Sequence, residues 1–121
     1  MNNVEKWLNK VKSQKAITEK LENFVNRQSN GVNTLSEYYI LNFLAQSPTK
    51  SLSQSEIIDK MPLSQSATSR VLSHLLAKNC GAIKRHQSPD DKRSQFLVIT
   101  PIGEKIVTNL TPGIQKILQD I

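Results

Sequence analysis

SQSEIIDKMPLSQSATSRVLSHLLAK, residues 53–78, reads as two short helices joined by a tight turn. Ser53 and Glu56 form a capping box, in which hydroxyl and carboxylate each accept a free backbone N–H at the start of a helix. Ile57, Ile58 and Met61 are the apolar residues of that helix, and Pro62 stops it. Ser64 is placed to cap a second helix running to about Lys78. On that helix Ala67, Val71, Leu72, Leu75 and Leu76 share the inward side, and Ser66, Ser69, Arg70 and Ser73 the outward side. Solvated helix faces usually carry Glu and Lys. A face of three hydroxyls and one guanidinium is short and rich in donors, so it can sit deep in a groove, with Arg reaching a base edge or a phosphate.

After Gly81 the period changes. Ala82 to His86 and Gln95 to Ile99 read as strands, richer in β-branched and aromatic residues. Between them Gln87 to Ser94 is a polar loop with one Pro and a run of charges. Helix, turn, helix and charged hairpin make a winged helix-turn-helix: a mainly α domain with a small β-hairpin wing. The competing reading is a small α+β domain that binds another protein. The outward hydroxyl face and the basic hairpin together weigh against it.

At 121 residues the chain has room for one domain, 1–121, and not for two. Its formal net charge is +6. The excess gathers locally: Lys50, Lys60, Arg70, Lys78, Lys84, Arg85, Lys92 and Arg93 face only Glu56, Asp59, Asp90 and Asp91 over the same stretch. Clustered cations beside a helix-turn-helix are the electrostatic footprint of a DNA binder. A single Cys excludes an internal disulfide and fits a reducing compartment. The N-terminus is polar and amphipathic, unlike a signal peptide, and no apolar run approaches the ~18 residues of a membrane helix. A cytoplasmic location is expected.

Asn2 or Asn3 can cap a first helix, with Val4, Trp7, Leu8 and Val11 on one apolar face and Ile17, Leu21, Phe24 and Val25 on a second. Lys12 to Lys15 separate the two, where the stripe shifts phase or the helix bends. Ser29-Asn-Gly31 ends it. Thr34 and Glu37 make a capping box for the next helix. Tyr39, Ile40, Leu41, Phe43 and Leu44 leave that helix apolar on more than one side, so it is central. Of Tyr38 and Tyr39, one is expected in the core and one at the surface; a ligand pocket is the less favoured reading of the pair. Thr100 caps the last helix with Pro101 in its first position, and Thr111-Pro-Gly113 interrupts it by a kink or a fresh start. Ile106, Leu110, Ile114, Ile117, Leu118 and Ile121 stay on one face across the break. No other segment is obviously free to cover that face, so a partner is implied, most simply a second copy of the chain.

Asp90-Asp-Lys-Arg-Ser94, a hydrophobic strand and then Ile99-Thr-Pro-Ile-Gly103 resemble the wing signature of the MarR family of bacterial transcriptional regulators. That signature is Asp-x-Arg followed by Leu-Thr-x-x-Gly, with Ile99 standing for the Leu. Leu35-Ser36, Leu52-Ser-Gln-Ser-Glu56, Leu63-Ser-Gln-Ser66 and Ser69-Arg-Val71 also fit, so the likeness spans roughly residues 34–107. Asn79-Cys-Gly-Ala-Ile83 departs from it, being longer than the family's usual Gly-Leu-Ile step. So does a C-terminus shorter than is usual, which implies a reduced or rearranged dimer interface. The resemblance implies a homodimer built from helices at 1–31 and 101–121 around a DNA-binding core at 34–100. Its target is a near-palindromic double-stranded operator, and repression is the default outcome. Ser64, Gln65, Ser66, Ser69, Arg70 and Ser73 would work in the major groove, Lys84 and Arg85 on phosphates, and Asp91, Lys92 and Arg93 at the wing in the minor groove. A small-molecule effector is compatible with the family; no membrane partner is expected.

No nucleophile, base and orienting group fall together, so no enzyme activity and no cofactor are expected. His74 flanks the outward helix face and His86 begins the wing; both read as DNA-proximal or solvated. With Cys80 they make a poor metal set, because His74 and Cys80 straddle a helix end. Buried structural Cys is the expectation for Cys80. Two alternatives stay open: a winged-helix protein-interaction module without DNA affinity, and a ligand or redox sensor on the same fold.

The Asp91–Arg93 pair gives a sharp test. A carboxylate two residues before a guanidinium can hold it ready for a narrow, negative minor groove and reduce its entropy loss on insertion. Asp91→Ala is expected to weaken DNA binding even though it removes a negative charge. Tighter binding in a titration, with folding checked by thermal melts, would refute the orienting role.

Overall fold

The computed structural model describes residues 2–28, 32, 34–87 and 95–119. In chain order these form α1 (Asn3–Gln28), α2 (Leu35–Gln46), β1 (Ser51–Ser53), α3 (Gln54–Lys60), α4 (Gln65–Leu76), β2 (Ile83–Gln87), β3 (Gln95–Ile99) and α5 (Pro101–Gln119). The strands make an antiparallel sheet in the order β1-β3-β2. Ile83 pairs with Ile99 and Gln87 with Gln95 along the hairpin, and Leu52 of β1 pairs with Leu97. The architecture is the expected winged helix-turn-helix, mainly α with a small sheet. No helix among the described residues is long and apolar enough to cross a membrane.

α2 is the centre. Leu35, Ile40, Leu41 and Leu44 are buried on several sides of it, and it packs against α1, α4, α5, β1 and β3. Burying each of these aliphatic side chains stabilises the fold by roughly 1.5–3 kcal/mol. Tyr38 is buried and Tyr39 half-buried. Thr34 caps α2, accepting the Glu37 N–H at 3.3 Å. The capping box is only half made, because the Glu37 carboxylate turns to the Thr34 hydroxyl, 2.9 Å away. The N–H of Leu35 instead donates to Glu22 of α1 at 3.0 Å.

α1 runs unbroken from Asn3 to Gln28, capped by Asn2, whose side-chain oxygen accepts the Glu5 N–H at 2.9 Å. At 100° per residue its two apolar stripes are centred roughly 100° apart around the axis. The later stripe enters the core: Leu21 and Val25 are buried, with Ile17 and Phe24 packed against them. The earlier stripe does not. Val4 is 65% and Trp7 64% exposed, and Leu8 and Val11 are exposed beside them. The proposed end of this helix at Ser29–Gly31 lies outside the described residues.

The fresh start that the sequence allowed at Pro112 does not occur, since α5 continues through it to Gln119. A proline inside a helix forfeits one hydrogen bond, but packing on both sides of it holds the helix together. Leu110 and Ile114 are buried, and the Phe24 ring lies so close to Gly113 that a Cβ there would overlap it. Nor is the apolar face of α5 left for a partner. α1 and α2 cover it, burying Ile106, Leu110 and Ile114 within the chain. Leu118 remains exposed, as does Ile102 nearer the wing. Ile121 lies outside the described residues.

α5 is fastened to the wing by Thr100. Its hydroxyl donates toward the carbonyls of Gly81 (2.6 Å) and Ala82 (3.0 Å) and accepts the Gly103 N–H at 3.2 Å. Gly81 has φ +62°, the left-handed conformation that turns the chain after α4 into β2. Gly103 faces the backbone of Ala82, and a methyl there would run into that carbonyl and the Ile99 side chain. Gly103→Ala is therefore expected to destabilise the domain by about 1–3 kcal/mol. Lys105→Ala, two positions away on an exposed face, should stay within about 0.5 kcal/mol. Urea denaturation of the two variants measures the difference.

Candidate nucleic-acid interface

The helix-turn-helix follows the local chemistry. Ser53 and Glu56 complete their capping box, with Glu56 N–H to Ser53 Oγ at 3.1 Å and Ser53 N–H to Glu56 Oε1 at 3.3 Å. Met61 closes α3, its N–H donating to Ile57 O at 3.1 Å, and is buried under the turn. Ser64 caps α4 by accepting the Ala67 N–H at 3.2 Å. α4 ends at Leu76, two residues before Lys78.

Thr68, Leu72 and Leu75 face the core, with Ala67, Val71 and Leu76 half-buried at the edges. Thr68 is the surprise. It is fully buried, and among the described residues its hydroxyl is the buried side-chain polar atom without a hydrogen-bond partner. Gln65, Ser66, Arg70 and Ser73 are exposed, and Ser69 is half-buried on the rim. Two of the hydroxyls already have local work. Ser64 holds the cap, and Ser73 donates to the Ser69 carbonyl at 3.0 Å. Each keeps acceptor capacity. Arg70 makes no side-chain hydrogen bond or ion pair among the described residues.

β2 packs against α4 and carries Lys84, Arg85 and His86, all exposed. Successive strand residues project to opposite faces, so Lys84 and Arg85 do not act as one patch. Arg85 shares a face with Leu97, its cross-strand partner. Its guanidinium donates to Gln95 at 2.9 Å and to Gln54 at the start of α3 at 3.4 Å, which clips the wing to the helix-turn-helix. Gln54 and Gln95 carry no sequence signal for this role, because the contact crosses three elements. Asp91, Lys92 and Arg93 lie outside the described residues.

His74 has a partner that the sequence did not announce. Its Nδ1 lies 2.6 Å from Oε2 of Glu37, although 46% of its side chain remains exposed. It is tied to the core helix while part of its ring stays open to solvent. Cys80 is half-buried, and burial pushes its thiol up, with Glu37 adding to the effect against a backbone hydrogen bond from Ala82. A raised thiol carries less of the reactive thiolate. Among the described residues no three His, Cys, Asp or Glu side chains are placed to hold a metal ion. A cleft of about 390 Å³ opens between α2 and α5, lined by Tyr38, Tyr39, Asn42, Thr111, Ile114 and Leu118 among others. At one side Tyr38 Oη and Thr111 Oγ1 are 2.6 Å apart. Burial, with Glu22 nearby, pushes the Tyr39 phenol up.

These elements define a winged helix-turn-helix with an uncovered, donor-rich second helix. A sequence profile of the MarR family matches residues 31–94, more than half of the chain. The chain belongs to the MarR family of transcriptional regulators. Solved structures share the fold. Sco3205 of Streptomyces coelicolor, a MarR family transcriptional regulator in complex with DNA, is 23% identical with a TM-score of 0.82, covering 94% of this chain and 69% of its own. AbsC of the same organism is 21% identical with a TM-score of 0.84, covering 99% and 79%. Bordetella bronchiseptica BpsR, whose DNA binding is regulated by 6-hydroxynicotinic acid, is 17% identical with a TM-score of 0.78, covering 98% and 79%. No curated protein sequence matches the chain significantly.

Lys84 extends from the strand face opposite the Arg85 clip. Lys84→Ala is expected to lower the slope of log affinity against log salt by about one unit, as loss of one phosphate contact does. Duplex titration at several salt concentrations measures this; an unchanged slope removes Lys84 from the interface.

Proposed function

We propose that this chain is a dimeric, sequence-specific DNA-binding regulator of transcription, acting by default as a repressor that blocks a promoter. The observation that carries the reading is the outer face of α4. It is polar, exposed and uncovered, and it lies at the end of a capped helix-turn-helix beside the basic strand β2. In this reading α4 enters the major groove with Gln65, Ser66, Ser69, Arg70 and Ser73 toward bases and phosphates, and Ser64 at its N-terminus. Lys84 and the free donors of Arg85 meet phosphates. Asp91, Lys92 and Arg93 work in the minor groove. The protein acts in the cytoplasm, without an enzymatic step.

The exposed stripe Val4, Trp7, Leu8 and Val11 supports the dimer. An apolar helical stripe rotated away from the chain's own core needs another surface. A second copy meeting it through 1–31 and 101–121 would set two copies of α4 against half-sites about 10 bp apart. The cleft between α2 and α5 favours a second element of the reading, a small effector with an aromatic body and polar substituents. Its volume is within the range of small-molecule sites.

Selection of bound duplexes from a random pool is the direct experiment, and a near-palindromic consensus is expected. Failure to enrich any sequence would leave the protein-interaction reading in its place. Sedimentation addresses the dimer. The full-length chain is expected to sediment as a dimer at micromolar concentration, and Trp7→Glu to shift it toward monomer and weaken operator binding. Removing residues 111–121 is the poorer probe, because it strips buried Ile114 from the core. A monomeric wild-type chain would refute the dimer.

A further inference from the structure

The contacts that hold α4 to the rest of the domain are nearly all apolar: Leu72 and Leu75 buried, with Ala67, Val71 and Leu76 at the margins. The inward hydroxyl of Thr68 has no partner among the described residues. Such packing fixes how close a helix lies and limits its roll by interdigitation, and a directional bond on its flank narrows that roll further. Roll decides which side chains meet a groove. On a helix about 5–6 Å in radius, a roll of ~20° carries a side-chain tip by about 2 Å. That exceeds the range of about 0.5 Å over which a hydrogen bond keeps its length.

Among the described residues one side-chain hydrogen bond joins α4 to another element, that between His74 Nδ1 and Glu37 Oε2 at 2.6 Å. It lies on the flank of α4, off the line of apolar contact, where a bond resists rotation. Its anchor is rigid. Glu37 is only 4% exposed, sits in the first turn of the central helix and is gripped by the Thr34 hydroxyl. The N-terminus of α2 is in turn held by Glu22 of α1 through the Leu35 N–H. A buried carboxylate is costly unless hydrogen-bonded. Loss of the His74 partner therefore takes one hydrogen bond from the buried carboxylate and removes the directional tie on α4.

We propose that Glu37 and His74 are positioning residues for DNA recognition: the buried carboxylate of α2 sets the roll of α4, so that Ser66, Ser69, Arg70 and Ser73 present together. His74 touches no base in this account. The inference rests on the DNA-binding reading given above and adds to it a specificity determinant outside the groove-facing set.

The test uses the full chain, a duplex enriched by the wild type from a random pool, and a random-sequence duplex, each titrated at several salt concentrations. His74→Ala is expected to weaken binding to the enriched duplex by roughly five- to thirtyfold. Binding to the random duplex and the salt slope should change little. His74→Asn places an amide N–H near the position of Nδ1 and is expected to restore most of the preference. His74 is half exposed, so both variants should fold, and thermal melts check that. If His74→Ala instead weakens both duplexes equally and the salt slope falls by about one unit, His74 is a phosphate ligand and the proposal is overturned. Equal affinities for wild type and His74→Ala, or an Asn variant no better than Ala, overturn it as well. A wild-type chain that enriches no sequence overturns the DNA-binding reading and this inference together. Wild-type enrichment that His74→Ala matches overturns this inference alone.

Discussion

A helix that is apolar on more than one side has to be surrounded, and α2 imposes that requirement on every other element. Ile40, Leu41 and Leu44 are fully buried, and no single neighbour could cover all three. α1, α4, α5 and the sheet close around them from different directions. The position of each outer element is thus defined relative to one helix. The two carboxylates at its N-terminus extend that control by polar contacts, Glu22 from α1 and Glu37 toward α4.

The surface proposed to face DNA follows from this arrangement. α4 needs one face against the core and the opposite face free, and its sequence divides that way between leucines and hydroxyls. The sheet contributes by fixing the strands of the wing at two places. Thr100 joins the root of the hairpin to α5, and Arg85 joins β2 to Gln95 on β3 and Gln54 on α3. A basic strand held on two sides presents its free cations at a defined height beside α4. This suits a target whose charges are regularly spaced.

Particular residues show where sequence reasoning reached and where it stopped. The caps at Ser53, Ser64 and Thr100 were legible because capping is local: donor and acceptor lie within three residues. The strand Ser51–Ser53 was not, because a Ser-Leu-Ser triplet has no usable period and becomes a strand only through its pairing with β3, more than 40 residues later. The apolar face of α5 was legible as a face but was assigned to the wrong cover. Periodicity tells that a stripe must be buried, and it is silent on whether the same chain or another chain buries it. The partner of His74 was not legible for the same reason, since a histidine on a helix flank announces no partner 37 positions away.

The sequence by itself determined the helices and the hairpin strands, the helix-turn-helix with its capped starts, the division of α4 into two faces, and the family, through motifs in which each residue answers to its near neighbours. Only the tertiary structure decided which stripes face inward. The first apolar stripe of α1 stays outside while the second enters the core, because the two are turned roughly 100° from each other around one continuous helix. It also decided that Glu37 joins Thr34 to His74, and that Arg85 bridges three elements where Lys84 does not. Hydrogen bonds across elements depend on distances that arise only once the helices have packed, and no local pattern in the chain encodes them.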